Sequence, residues 1–243
     1  MKTIVWKSEN GEMILTFELI EKSTGADCLS LVGIQKCENG EVRVPYQVNG
    51  ISVSYIGITE TERMQQYYHA PTGEVRTYSV YEQEPCAVSD LCGVMRLWLP
   101  SHLLKISEGA FSKCKKLEAV AIMGNCPRFR VIDSCLVDSQ NFMLAAVTKE
   151  ETLRIPDGVR AIKDFTATVC VNLKRVILPK SVSYVSDSMF YCIKELFYRG
   201  TREEWAHVNV FYGQPRAIYY YSEEKPDFEG LFWHEVDGVP VVW

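Results

Sequence analysis

The sequence predicts an α/β repeat solenoid, a stack of short coils that each contribute a strand, a corner and a helical or 3₁₀ turn. Three observations predict it. A spacing counted from a proline recurs along the chain, alternate residues are apolar before each such proline, and the pattern after each downstream cysteine leads into the next strand.

The spacing comes first. In LWLPSHLLKISEGAFSKC, Leu103, Ile106 and Cys114 stand 3, 6 and 14 residues after Pro100. In LRIPDGVRAIKDFTATVC, Val159, Ile162 and Cys170 repeat those offsets from Pro156. VILPKSVSYVSDSMFYC places Val182 and Val185 at 3 and 6 from Pro179, with Cys192 one residue early at 13. Pro156 and Pro179 are 23 residues apart, inside the roughly 20–29-residue period of leucine-rich repeats.

The strands precede the prolines. Leu97 and Leu99, Leu153 and Ile155, and Val176 and Leu178 are apolar at alternate positions, the pattern of a short strand with one buried face. Proline has no N–H to give to a ladder, so it stops the strand and turns the chain. Downstream, Cys114-x-x-Leu117-x-x-Val120-x-Ile122 and Cys170-x-x-Leu173-x-x-Val176-x-Leu178 spell the L-x-x-L-x-L core of such a repeat. Each coil buries its apolar residues only against its neighbours, so several are required.

This pattern resembles the BspA-type leucine-rich repeats, also called the Treponema pallidum type, of bacterial surface proteins. It is carried by Leu97, Leu99, Pro100, Leu103, Ile106, Ala110, Phe111, Cys114, Leu117 and Val120. Leu153 to Val159, Ile162, Cys170, Leu173, Val176, Leu178 and Phe190 carry it again. A looser copy lies in VRVPYQVNGISVSYIG, where Val42, Val44 and Pro45 match the strand, and Val53 and Ile56 follow a five-residue insertion. GTREEWAHVNV and IYYYSEEKPDFEGLFWHEVDGVPVVW resemble tails that follow such repeats in gut Firmicutes proteins. The resemblance covers most of residues 40–243. It implies a right-handed leucine-rich-repeat solenoid with short parallel strands, hairpin insertions and terminal caps. It also implies a non-catalytic binding or adhesion module of a bacterial protein whose relatives are often exported to the cell surface.

The expected organisation is an N-terminal β cap at 1–40, a solenoid at 41–200 and an aromatic-rich C-terminal cap at 201–243. Two insertions, at about 57–92 and 124–150, interrupt the solenoid. The first reads as a hairpin with arms Arg63 to His69 and Val75 to Tyr81 around Pro71-Thr72-Gly73. The second reads as a hairpin with Val131, Leu136 and Val137 on one arm and Phe142 to Val147 on the other. Met123 stands where a proline is expected, and Phe165 and Ala167 are out of step with the Ala-Phe pair of the repeat. MILTFELI and LSLVGI read as strands closing the first coil, and Ile218-Tyr219-Tyr220-Tyr221 as a final strand. Trp205, Phe232, Trp233 and Trp243 are expected to pack over the last coil.

Strand alternation also selects candidate site residues. With Leu97 and Leu99, Val120 and Ile122, Leu153 and Ile155, and Val176 and Leu178 inward, Trp98, Ala121, Arg154 and Ile177 line up outward, flanked by Arg96, Thr152 and Arg175. Solenoids use this extended face for partners, and Trp and Arg are enriched at interface hot spots. Arg96, Trp98, Arg154, Arg175 and Ile177 are therefore candidate partner-binding residues. The competing reading is that a tail or a second copy covers Trp98 and Ile177. Tyr67, Tyr68, Tyr78 and Tyr81 form a second candidate group, because tyrosine joins rigid contact area to a polar tip; the competing reading packs them on their own scaffold. A protein is the expected partner. The alternative is a glycan stacked on aromatic side chains.

Composition excludes other classes. With 47% hydrophobic and 23% charged residues among 243, the chain reads as folded and soluble. A net charge of -5 leaves no basic excess to displace counterions from nucleic-acid phosphates. No run approaches the about 20 apolar residues of a membrane-spanning helix. MKTIVWKSENGEM places only Ile4, Val5 and Trp6 between two lysines, far short of a secretory signal. The protein therefore either stays inside the cell or is a mature chain whose leader has been removed.

Nine cysteines without a CxxC spacing read as buried free thiols. Cys86 with Cys92, or Cys126 with Cys135, could pair only if the fold brought them together. His69, His102, His207 and His234 share no metal-type spacing with each other or with a cysteine. GxSxG, HExxH and phosphate-cradling glycine loops are missing, so no catalytic, metal or cofactor site is expected.

Overall fold

A computed structural model describes residues 2–22, 25–58, 87–186, 193–211 and 215–243, together with the backbone of 66–69 and 75–78. Tyr81, Cys86, Phe190 and Cys192 lie outside the described residues.

The chain winds as a β-solenoid of about 7 turns. A first column of parallel strands stacks Glu41–Arg43, Arg96–Pro100 and Ala119–Met123. After a break it resumes as Thr152–Arg154, Arg175–Leu178, Glu195–Tyr198, Ile218–Tyr221 and Phe232–Val236. Val239–Val242 then returns antiparallel on Phe232–Val236, so Ile218–Tyr221 is not the final strand. A second column pairs Ile51–Ile56 with Lys105–Ile106, and later joins Phe142–Ala146, Ala161–Ile162, Tyr184–Val185 and Asn209–Val210. Each coil thus passes once through each column. Leu153, Val176 and Leu196 stand in register and are buried, as alternation requires.

Helix among the described residues is confined to Arg202–Trp205, so the expected α/β repeat is a β repeat. The corners after Ile106 show why. Ala110 N–H donates to the Ser107 carbonyl (3.1 Å), Cys114 to Phe111 (2.8 Å) and Leu117 to Cys114 (3.0 Å). These are separate i to i+3 turns. Gly109, at φ 70°, reverses the backbone hand inside the first of them, and a right-handed helix cannot run through that residue. In the next full copy Phe165 occupies the place of Gly109 and has φ 59°. Ala167 then takes the buried place of Phe111, which accounts for the pair that is out of step.

The second insertion is a three-stranded antiparallel meander, Phe129–Ile132, Cys135–Asp138 and Phe142–Ala146. Val131 therefore sits on its own strand, opposite Leu136, rather than on the same arm. The meander divides the core in two. Phe129, Leu136, Leu144 and Val147 pack with the coils that contain Leu97 and Leu99. Cys135, Val137, Met143 and Ala146 pack with Leu153, Ile155, Val176 and Leu178. Successive residues of a strand face opposite ways, so one thin sheet seals the first half and lines the second.

The N-terminal strands Thr3–Lys7, Ile14–Ile20 and Cys28–Lys36 form an antiparallel meander. Its last strand pairs in parallel with Ile51–Ile56 and so leads directly into the second column. Asn49 (φ 52°) and Gly50 (φ 78°) make the tight turn between Gln47–Val48 and Ile51–Ile56.

At the other end, Thr201 and Glu204 form a reciprocal capping box at the start of Arg202–Trp205, which turns Trp205 into the core against Tyr198. Trp233 does not lie over the end of the stack; it packs on the outward side of the first column. Trp243 remains partly exposed, stacked on His234.

Candidate functional site

The outward row of the first column has two different states. In the first half, Arg43, Trp98 and Ala121 stand side by side. Val42 and Val44 are buried on either side of Arg43, so alternation turns its side chain outward. The Arg43 guanidinium lies 4.9 Å from the Trp98 ring centroid, within cation–π range. Trp98 is half-buried and Arg43 exposed. One row away, Arg96 pairs with Glu41 at 3.0 Å. At the strand ends, exposed Tyr46 stacks on His102 with centroids 5.2 Å apart, and its hydroxyl donates to the Met123 carbonyl. His102 Nε2 is buried without a hydrogen-bond partner among the described residues.

In the second half the corresponding row is Arg154, Ile177, Phe197 and Tyr219. Ile177 is 2% exposed and is not an open surface residue. It is buried with Phe197 and Trp233 as a small separate cluster, against which Tyr219 and Tyr221 pack. Trp233 is 0% exposed. Its ring meets Phe197 edge-on at 5.5 Å, and its Nε1–H donates to the Tyr198 carbonyl at 2.9 Å. Beyond Trp233 the terminal hairpin reaches Arg154, which donates to Glu235 Oε1 at 3.0 Å and to the Gly238 carbonyl at 2.7 Å. Arg199 donates to Glu235 Oε2 at 2.6 Å. The chain's own C-terminal segment thus occupies this half.

Of the other sequence-selected residues, Arg175 donates through Nε to Glu195 Oε2 at 2.8 Å, across to its register partner on the next strand. Beside it, the Lys174 ammonium, bonded to Glu151, holds the Glu151 carboxyl below its ordinary range. Tyr67 and Tyr68 lie on Gln66–His69, paired antiparallel with Val75–Tyr78, which carries Tyr78. The structure therefore groups Arg96 with Trp98, and Arg154 with Ile177, in two separate places.

Sequence reasoning missed Arg43 and Tyr46, although the Val42/Val44 alternation placed Arg43 beside Trp98. It also missed Phe197, although Ile193-x-x-Leu196-x-Tyr198 repeats Leu173-x-x-Val176-x-Leu178 and so puts Phe197 in line with Ile177, and Glu235, which lies beyond the repeat spacing. A shallow groove of about 310 Å³ lies on the second column, lined by Phe142, Arg160, Ala161, Lys163, Ser183 and Tyr184. Among the described residues no cluster of histidine, cysteine, aspartate and glutamate could hold a metal ion. No described helix is long and apolar enough to cross a membrane.

A β-solenoid with this spacing is a leucine-rich-repeat scaffold. Residues 83–199 match the family described as BspA type leucine rich repeat region, in 6 copies. Among solved structures it is similar to a leucine rich cell surface protein from Faecalibacterium prausnitzii, with TM-score 0.41 and 17% identity over 86% of this chain and 43% of that one. This chain therefore spans less than half of that protein's length. A leucine-rich repeat protein from Eubacterium ventriosum matches with TM-score 0.42 and 14% identity over 91% of this chain and 69% of that one. The pneumococcal vaccine antigen PcpA matches with TM-score 0.20 and 10% identity over 90% and 94%. No curated protein matches the sequence.

Proposed function

We propose that the chain is a non-catalytic binding module of a bacterial surface protein and that it recognises a protein partner through the open outer face around Trp98. The observation that carries this reading is the contrast between the halves of one sheet column. In the second half, the outer face holds a β-hairpin that presents an indole to apolar side chains and a carboxylate to two arginines. The first half offers related chemistry without an intramolecular occupant among the described residues: a half-buried indole, the exposed Arg43 guanidinium and the edge residue Arg96. The complement is an extended protein segment carrying an aromatic or aliphatic anchor beside an acidic residue. Tryptophan and arginine concentrate binding energy at interfaces, and the family supports a binding role.

The test is capture from host and bacterial extracts on the immobilised chain, compared with a Trp98→Ala, Arg43→Ala double variant. Proteins enriched by the parent chain are expected to fall at least about tenfold with the variant, since a lost anchor is worth roughly 2 kcal/mol or more. Equal capture by both would remove this face as the site.

A glycan is the second reading, favoured by the groove in which Phe142 and Tyr184 flank Ala161 with Arg160 and Lys163 at the rim. A glycan array separates the two: signal abolished by Phe142→Ala but unaffected at Trp98 selects the groove.

A further inference from the structure

We propose that Cys37 and Cys92 are a disulfide-forming pair that pins the N-terminal strands to the first coil. Their sulfurs are 2.7 Å apart although the residues are 55 positions apart in the chain. That is closer than two unbonded thiols ordinarily rest, and small side-chain rotations reach the covalent length of about 2.05 Å.

Both ends of the pair are built into the fold. Cys37 directly follows Cys28–Lys36, and Cys92 follows the short strand Ser89–Asp90, which pairs in parallel with Gly33 and Ile34. The Leu91 N–H also donates to the Ile34 carbonyl at 2.9 Å. Asp90 accepts from the N–H groups of Cys92 (3.1 Å) and Gly93 (2.8 Å) through Oδ1 and from Val94 (3.0 Å) through Oδ2. This fixes the turn that presents Cys92, and it occupies the carboxylate that could otherwise join two thiols around a metal. Both cysteines are partly accessible, whereas Cys114, Cys135 and Cys170 are buried. Cys126 packs with the first core and Cys135 with the second, so that pair is kept apart.

The oxidant is a low-molecular-weight disulfide such as oxidised glutathione. One cysteine thiolate attacks a sulfur of that disulfide, whose S–S bond breaks and releases one glutathione thiolate, which takes up a proton. The second cysteine, deprotonated, then attacks the protein sulfur of the mixed disulfide. The Cys37–Cys92 bond forms and the second glutathione leaves. Two protein thiols lose two electrons and two protons, and the glutathione disulfide gains both. Burial first, then the Cys37 sulfur and the Asp90 carboxylate, push the Cys92 thiol above its ordinary range, so the reaction is expected to accelerate with rising pH.

The test incubates the reduced full chain with oxidised glutathione, alkylates it without reduction, and maps the peptides by mass spectrometry. The expected result is a peptide joined through Cys37 and Cys92, a chain lighter by two hydrogens, and a thermal midpoint several degrees above that of the reduced chain, because a long loop is closed. In Cys37→Ser, Cys92 is expected to stop as a mixed disulfide with glutathione. Alkylation of both residues in the oxidised parent chain, or a Cys92 cross-link to any other cysteine, would overturn the proposal. The peptide map of the parent chain decides it even if the variant fails to fold.

Discussion

Arg154 and Glu235 join across 81 residues of chain at 3.0 Å, and the same carboxylate accepts from Arg199. This three-residue cluster anchors the terminal hairpin over the outward row of the second half. Its side chains are 32%, 25% and 30% exposed, so solvent screens them only in part. Glu235→Gln is expected to weaken the anchorage by about 1.5–3 kcal/mol, the range for hydrogen bonds to charged groups. Amide hydrogen exchange should then quicken about tenfold or more over 234–242, while Leu97 to Leu99 keep their protection. An unchanged rate over 234–242 would assign the hairpin's stability to Trp233 alone.

Trp233 is the apolar part of that anchorage. Trp233→Ala removes a fully buried ring from Ile177 and Phe197 and is expected to cost about 3–5 kcal/mol, measured by urea unfolding. Trp233→Phe keeps a ring but loses the donor to the Tyr198 carbonyl, and is expected to cost about 1 kcal/mol from that bond plus the volume difference. If the two variants unfold alike, the indole N–H rather than the packing holds the segment.

How much of this was legible in the sequence depends on how local the cause was. The coil spacing from Pro100 and Pro156 is set by contacts each coil repeats, so Leu97, Leu99, Leu153, Val176 and Leu178 could be assigned to the core directly, and all are buried. The division of that core was not legible. Cys135 and Leu136 are adjacent and both apolar, and only the meander's position shows that they face different halves. The fate of Ile177 was equally hidden, because outward alternation says which way a side chain points and nothing about what arrives from Trp233 later in the chain. The missing helices trace to one residue per corner, such as Gly109, whose positive φ a pattern of apolar spacing does not register.

Gly109 and Phe165 make that last point testable. They occupy equivalent corners at φ 70° and 59°, a region where glycine is unstrained and a bulky side chain costs roughly 1–2 kcal/mol. Gly109→Ala is expected to destabilise the chain by about 1 kcal/mol or more. Phe165→Gly should recover part of the strain against the loss of the ring's contacts, and so come out closer to neutral. Chemical denaturation of the two variants reads the difference. A Gly109→Ala variant as stable as the parent would show that the corner can reverse its turn at no cost.

The buried thiols impose a limit on alkaline stability. Burial raises the Cys114 thiol to about 12, with the Asp90 carboxylate adding to the rise and Lys115 opposing it. Burial likewise raises Cys135 to about 12, followed by Cys170 and Asp133. Both folded-state values lie above the roughly 8.5 of an unfolded cysteine, so below that pH the two states bind the same protons and stability is intact. Above it the unfolded chain loses protons that the folded chain retains, and stability falls as pH rises toward 12. Each thiol contributes about 1.4 kcal/mol per pH unit in this window. Lysines and tyrosines titrate there too, so the informative quantity is a difference in slope. Urea midpoints for the reduced chain and for Cys114→Ala, Cys135→Ala are to be compared between pH 9 and 11. The double variant is expected to start less stable, from the small cavities, yet to lose stability with pH more slowly by nearly twice the single-thiol value. Parallel slopes would mean that these two cysteines ionise as readily inside the solenoid as outside it.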